Sequence, residues 1–166
     1  PLARGAGILF ENRAPADRIP EQFIPALEKA LKDATLTGVI SGYPMIDMKI
    51  TLLDGSYREG LSSELGYIMA ATSALREAIE KAGPVLLEPI MEVEIVTPQE
   101  FLGDIITDIN ARKGKIENIE NKNLTRIVTA HVSLKNMFGY STALRSASQG
   151  RATFTMKFLK FDTPER

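Results

Sequence analysis

The chain has 166 residues, of which 44% are hydrophobic and 25% charged, a balance typical of folded globular domains. It has no cysteine and a single histidine, which excludes disulfides, thiolate metal sites and any site built from several histidines. The 20 basic and 21 acidic residues give a net charge of −1, so nucleic-acid binding would depend on local patches. No apolar run approaches the roughly 18 residues that span a bilayer, so we expect no membrane partner.

The first half of the chain predicts strand, helix, strand and helix. Residues 8–10 form a short strand for which the sequence shows no partner, so we expect the chain to begin inside a domain. Pro20 opens the first helical pattern, since proline is tolerated in a first helical turn. Residues 46–52 alternate between apolar and mostly polar side chains, which is typical of a half-buried strand.

The second helix is predicted to be capped by Ser62 and to bury one stripe of side chains. Gly83-Pro84 ends this helix and marks the predicted boundary between a domain at 1–83 and a domain at 84–166. The predicted buried stripe consists of Leu61, Leu65, Ile68, Met69, Thr72, Leu75 and Ile79.

The second half predicts the order strand, helix, strand, strand, helix, strand. This is the order of the ferredoxin-like fold, in which helices cover one face of an antiparallel sheet. The last helix is predicted from about Leu134 to Ser148. Its predicted inward side chains are Met137, Phe138, Ser141 and Leu144, and those of the final strand are Ala152, Phe154, Met156 and Phe158. The predicted fold class is therefore α+β, with an incomplete βαβα domain followed by a βαββαβ domain.

Motifs of catalysis and nucleotide binding are absent from the sequence. There is no phosphate loop of the form G-x-x-x-x-G-K-[ST], no G-x-G-x-x-G after a strand and no G-x-S-x-G. His131 lies within a predicted strand and is interpreted as an exposed histidine. Glu92 and Glu94 share a strand face and are interpreted as solvated rather than as an acid–base pair. We expect no catalytic residue, metal site or cofactor in this chain.

Two patches of the second domain have side chains suited to RNA. Arg112, Lys113 and Lys115 surround a predicted helix end, where cations could contact phosphates or simply stabilise the helix C-terminus. The second patch could offer donors to phosphates and 2′-hydroxyls, or could be a capped helix with a solvated end. Its members are Arg145, Ser146, Gln149 and Arg151.

A third patch lies in the first domain, in the predicted turn after the second strand. It consists of Ser56, Tyr57, Arg58 and Glu59. An aromatic ring beside a guanidinium is a combination that stacks on RNA bases. The alternative is that Tyr57 packs against its own domain.

Several ordered motifs resemble bacterial elongation factor G. Gly42-Tyr43-Pro44, Thr51-Leu52-Leu53-Asp54-Gly55-Ser56-Tyr57 and Ser62-Ser63-Glu64 are similar to its fourth domain, which has a fold like that of ribosomal protein S5. Pro84-Val85-Leu86-Leu87-Glu88-Pro89-Ile90-Met91 is similar to the junction with the fifth domain. Gly139-Tyr140-Ser141-Thr142-Ala143-Leu144-Arg145-Ser146 and Gln149-Gly150-Arg151 are similar to the second helix of the fifth domain.

The resemblance implies the C-terminal part of a GTPase that drives transfer RNA and messenger RNA through the ribosome. Tyr57, Arg58 and Glu59 would lie at the tip of the fourth domain, near the decoding region and the A-site transfer RNA. Arg145, Ser146 and Gln149 would face the sarcin-ricin loop of large-subunit RNA. GTP and Mg would belong to a domain outside this chain, which would itself not be an enzyme. The protein would be a cytoplasmic monomer.

One departure from the family keeps alternatives open. Family members usually have histidine after the tyrosine of Asp-Gly-Ser-Tyr, whereas this chain has Arg58. Arginine keeps a permanent charge and cannot change protonation near neutral pH. A specialised paralogue, such as a second factor G or a ribosome-protection protein, is one alternative. A stand-alone RNA-binding module and a small enzyme on a ferredoxin-like scaffold are the others.

Overall fold

The computed structural model describes residues 1–163, which form two compact units. Unit 1 is Pro1–Leu86, and unit 2 begins at Leu87. Each unit combines helices with a sheet of its own and has its own cluster of buried apolar side chains. The predicted α+β class is confirmed.

Unit 1 has the element order β1, α1, β2, α2. The bounds are Ile8–Asn12 for β1, Ile24–Ala34 for α1, Met48–Leu52 for β2 and Glu64–Lys81 for α2. Strands β1 and β2 pair in parallel, with Ile8 opposite Met48. The prediction that the first strand lacks a partner was wrong. Its partner is parallel and lies 40 residues further along the chain, so no hairpin turn announces the pairing.

Helix α2 begins one residue later than the predicted cap implies. The Ser63 hydroxyl accepts a hydrogen bond from the Gly66 N–H at 3.2 Å and caps the helix. The predicted cap, Ser62, instead accepts a hydrogen bond from the Arg58 N–H at 2.9 Å. Ser62 therefore stabilises the preceding turn.

Much of the predicted buried stripe of α2 is exposed. Leu65 is 66% exposed, and Leu61 and Met69 are exposed as well. Leu75 and Ile79 are buried, in a cluster that also contains residues of α1 and β2. The apolar side chains of α2 therefore occupy more of its circumference than this cluster covers, and periodicity alone could not show which part meets it.

Unit 2 is a four-stranded antiparallel sheet with the strand order β4-β5-β3-β6. Two α-helices, α3 and α4, complete the predicted ferredoxin-like order. The bounds are Glu88–Pro98 for β3, Leu102–Ala111 for α3, Lys115–Lys122 for β4, Thr125–Ser133 for β5, Tyr140–Ala147 for α4 and Thr153–Asp162 for β6. Short 3-10 turns lie before both helices, at Gln99–Phe101 and Leu134–Met137.

One face of this sheet packs against the helices to form the core of unit 2. The buried cluster consists of Val93, Ile95, Ile105, Ile109, Val128, Ala130, Val132, Met137, Tyr140, Leu144 and Ala152. Met156 and Phe158 were predicted to be buried with Ala152, but both are exposed. Strand β6 is an edge strand, since β3 is its neighbour on one side and no strand of the described residues pairs with the other side. Its side chains are therefore less covered by neighbours than those of the central strands.

The last helix departs from the prediction in a way that matters for the surface. The predicted helix from Leu134 is broken at Gly139, whose φ of +74° lies in the left-handed region, and α4 starts at Tyr140. Phe138, predicted to face inward, therefore lies outside the helix and is 80% exposed. Within the described residues, no helix is both long and apolar enough to cross a membrane.

Candidate nucleic-acid interface

The predicted RNA-contacting residues fall on three surfaces. We call residues 54–60 the tip loop, residues 112–115 the α3 end, and the outer side of residues 138–149 the α4 face. The tip loop belongs to unit 1, whereas the α3 end and the α4 face belong to unit 2.

The tip loop is anchored by its backbone and exposes its side chains. The Tyr67 hydroxyl donates a hydrogen bond to the Ser56 carbonyl oxygen at 2.9 Å, and the Arg58 N–H donates to Ser62. Tyr57 is 44% exposed, and the neighbouring Ser56, Arg58 and Glu59 are exposed as well. The loop therefore presents a ring and a guanidinium together on a held backbone.

The side chain of Arg112 is engaged within unit 2. Its Nε donates to Asp108 Oδ2 at 2.9 Å, and its Nη1 donates to the Asn136 and Phe138 carbonyl oxygens at 2.7 and 3.3 Å. Its guanidinium also lies 5.0 Å from the centre of the Tyr140 ring. With only 17% of the side chain exposed, Arg112 ties the end of α3 to the start of α4.

The other two residues of the α3 end are more accessible. Lys113 is exposed and has a φ of +56°, so the chain turns sharply there before β4. Lys115 lies 2.8 Å from a carboxylate oxygen of Glu117. Gly114 between them is required by packing, since an added Cβ would lie 2.7 Å from Val132 Cγ2. Lys113 therefore offers the most accessible charge of this surface.

At the C-terminal end of α4, all four predicted residues are exposed, but one of the two arginines is already paired. Arg145, Ser146 and Gln149 are exposed, and Arg145 has no ion-pair partner among residues 1–163. Arg151 instead pairs with Glu100, and its guanidinium lies 5.5 Å from the Phe101 ring. Charge is therefore most available at Arg145.

The contacts of Arg112 and Arg151 show how α3 and α4 are arranged. Arg112 joins the end of α3 to the start of α4, and Arg151 joins the segment after α4 to the start of α3. The two helices are therefore antiparallel, and the two predicted patches of unit 2 lie at opposite ends of the helix pair. The α4 face extends between these ends.

Sequence reasoning missed a strong signal for this face. Residues 121–161 contain seven lysines and arginines and no aspartate or glutamate, although the whole chain has a net charge of −1. The cations of this run are Lys122, Arg126, Lys135, Arg145, Arg151, Lys157 and Lys160. When the net charge is counted for the two halves of the chain divided at Pro84, this run is hidden. The acidic residues of β3 and α3 lie in the same half and offset its positive charge.

Acidic residues of neighbouring elements neutralise part of this run. Lys157 lies 2.7 Å from Glu92, and its hydrogen bond holds the pKa of that carboxyl below its usual range. His131 lies between two carboxylates, with Nδ1 3.3 Å from Glu117 and Nε2 3.7 Å from Glu92. His131 was predicted to be exposed, but it is half-buried in this network. The network lies on the sheet face away from the helices, because Glu92 alternates with the buried Val93.

Within residues 1–163, no group of three or more metal-binding side chains is positioned to hold an ion. Two family models, which together cover most of the chain, place these units in a class of protein, the translation elongation factors. Residues 1–83 match the family model for elongation factor G, domain IV, and residues 85–165 match that for the elongation factor G C-terminus. The chain therefore belongs to the elongation factor G family.

A solved structure agrees with this assignment. A crystal structure of a protein from Thermus thermophilus matches 97% of this chain with a TM-score of 0.82 and 34% sequence identity. The match covers 24% of that protein, so this chain spans about a quarter of its length.

Proposed function

We propose that this chain is the C-terminal ribosome-binding part of an elongation factor G that promotes GTP-dependent translocation of transfer RNA and messenger RNA. GTP and Mg would be bound elsewhere in the intact protein, which would act in the cytoplasm as a monomer. The chain itself would bind no nucleotide and catalyse no reaction. Its work would be positional: unit 1 contacts the decoding region and A-site transfer RNA, while unit 2 contacts large-subunit RNA.

The observation that carries this proposal is the chemistry of the α4 face. It presents an arginine with no ion-pair partner among the described residues, together with hydroxyl and amide groups, in an acid-free run of the chain. Such groups contact phosphates and 2′-hydroxyls without reading a base sequence. The exposed side chains are Ser141, Thr142, Arg145, Ser146 and Gln149.

The test compares two variants that each remove one positive charge from unit 2. Arg145→Gln removes the charge of the α4 face, whereas Lys157→Gln removes one from the opposite side of the sheet. We expect Arg145→Gln to weaken binding to purified ribosomes about tenfold or more, because it removes a charge-assisted hydrogen bond. It should also make the slope of log K against log salt shallower by roughly 0.7–0.9. Lys157→Gln should change neither quantity.

Equal effects of the two variants, or binding that is insensitive to salt, would contradict electrostatic RNA contact at this face. Arg151→Ala should have a smaller effect than loss of Arg145, because Arg151 is already paired with Glu100. Nucleotide binding by the 166-residue chain would contradict the positional role.

The exposed Arg58 favours a second candidate, a specialised member of the family such as a second factor G or a ribosome-protection protein. The position lies in the tip loop, where the family usually has histidine, and its backbone is held by Ser62. Arg58→His in the intact protein tests this candidate through the rate of translocation. An increase supports specialisation, whereas an unchanged rate favours ordinary translocation activity.

A further inference from the structure

Phe138 is a large aromatic side chain that the fold of unit 2 leaves exposed. Burying a phenylalanine typically stabilises a fold by about 1.5–3 kcal/mol, yet 80% of this residue remains accessible. Tyr140, two residues later, is by contrast 1% exposed and packs edge-on against Phe154, with 4.9 Å between the two ring centres. The exposure of Phe138 therefore results from the break at Gly139, which separates the two aromatic residues.

The backbone that carries Phe138 is fixed. Arg112 donates hydrogen bonds to the carbonyl oxygens of Asn136 and Phe138, and Asn136 Nδ2 donates in return to the Arg112 carbonyl oxygen at 2.8 Å. Arg112 is itself held by Asp108. A ring with two side-chain torsions on a fixed backbone loses little entropy when it binds a partner.

A single exposed aromatic residue is common on protein surfaces and would carry no inference by its position alone. Phe138, however, stands at the head of the α4 face, in a run that contains no acidic residue. Helix α4 begins two residues after Phe138, and Arg145 and Ser146 within it are exposed, as is Gln149 just beyond its end. The face therefore combines a flat apolar ring with hydroxyls, an amide and a cation.

We infer that Phe138 stacks on an unpaired nucleobase of the RNA that the α4 face binds. The inference rests on the proposed function and deepens it, since phosphate contacts alone would need no ring. Every nucleobase has a π face, so such stacking adds affinity without requiring a particular base. Lys113 is exposed and directly follows Arg112, which donates to the Phe138 carbonyl oxygen, so its positive charge suits an RNA partner at this end of the helix pair.

The experiment measures binding of the 166-residue chain to purified large ribosomal subunits over a range of salt. Phe138→Ala should weaken binding by about 5- to 150-fold, the range measured for loss of one stacked base. Because no charge is removed, the slope of log K against log salt should stay unchanged. Circular dichroism should be unaltered, since the ring contributes little to the core.

Two further variants separate stacking from simple burial. Phe138→Trp should retain binding because it keeps a π face, whereas Phe138→Leu should behave like Phe138→Ala. Retained binding by Phe138→Leu would indicate an apolar pocket of a protein and would overturn the inference. Unchanged binding by Phe138→Ala would overturn it too.

Arg145→Gln, measured in parallel, separates this inference from the proposed function. A loss with Arg145→Gln but none with Phe138→Ala would overturn the stacking and leave the RNA-binding role intact. No loss with either variant would overturn both.

Discussion

Units 1 and 2 have the same kinds of element but bury them to different extents. The cluster of unit 1 contains four buried residues beside a two-stranded sheet, and α2 exposes two large apolar side chains, Leu65 and Met69. The cluster of unit 2 contains eleven buried residues between a four-stranded sheet and two helices. The hydrophobic contribution to stability is roughly proportional to the apolar area removed from water, so we expect unit 2 to be the more stable of the two.

The largest difference between the units should appear when core positions are truncated. Ile95→Ala in unit 2 removes a side chain that is 0% exposed and should cost about 2–5 kcal/mol of unfolding free energy. Leu65→Ala in unit 1 removes a side chain of similar size that is 66% exposed and should cost under about 0.5 kcal/mol. Urea denaturation followed by circular dichroism measures both. A loss above about 2 kcal/mol for Leu65→Ala would mean that its side chain is covered in solution.

A glycine in each unit offers a sharper comparison of packing. Gly114→Ala in unit 2 would place a Cβ 2.7 Å from Val132 and 2.8 Å from Ile109, both enclosed in the core. Such overpacking should cost about 1–3 kcal/mol.

Gly55→Ala in unit 1 is the matched case. Its added Cβ would lie 2.5 Å from Ile19 Cγ1, and Ile19 lines an open cleft of about 650 Å³. We therefore expect a smaller cost than for Gly114→Ala, measured by thermal or urea unfolding. A larger cost for Gly55→Ala would show that the tip loop is packed as tightly as the core of unit 2.

The smallest effect concerns pH. In unit 2, hydrogen bonds from Lys135, Lys157 and Lys115 lower the pKa values of Glu88, Glu92 and Glu117, respectively. In unit 1, Lys49 and Arg13 lower that of Glu11. A lowered pKa contributes stability that is present above the ordinary value of 4.5 and is lost as pH falls through the folded value. Acid should therefore reduce the stability of unit 2 more than that of unit 1.

Lys157→Gln tests this network directly. Removal of the Lys157 ammonium group should raise the pKa of Glu92 toward the ordinary value, because the hydrogen bond from Lys157 is the largest cause of the lowered pKa. Carbon-13 NMR titration of the carboxyl groups measures the change. An unaltered Glu92 pKa would show that the ion pair is not formed in solution.

The sequence predicted unit 2 better than unit 1 for physical reasons. Strand β3 and helix α3 have strong local signals, namely alternating apolar residues and then a helical period. The pairing of β1 with β2 is parallel and distant, so no local turn could reveal it. In α2 the period identified apolar residues but could not show which of them would find a covering surface.

The sequence identified the residues of the candidate site but not how they are arranged relative to one another. Arg145 and Ser146 are exposed near the end of α4 and Gln149 just after it, and whether they contact RNA stays a prediction. The engagement of Arg112 with Asp108, Asn136 and Phe138 depends on tertiary contacts that no local pattern shows. Phe138 was assigned to the interior because a continuous helix was assumed. The glycine after it was the signal of a break.

The central claim is that unit 2 binds large-subunit RNA through the α4 face, and chemical footprinting of that RNA tests it most directly. With the 166-residue chain bound to large subunits, we expect protected nucleotides whose protection is lost with Arg145→Gln and kept with Lys157→Gln. Absence of protection, or protection that both variants retain equally, would contradict the claim.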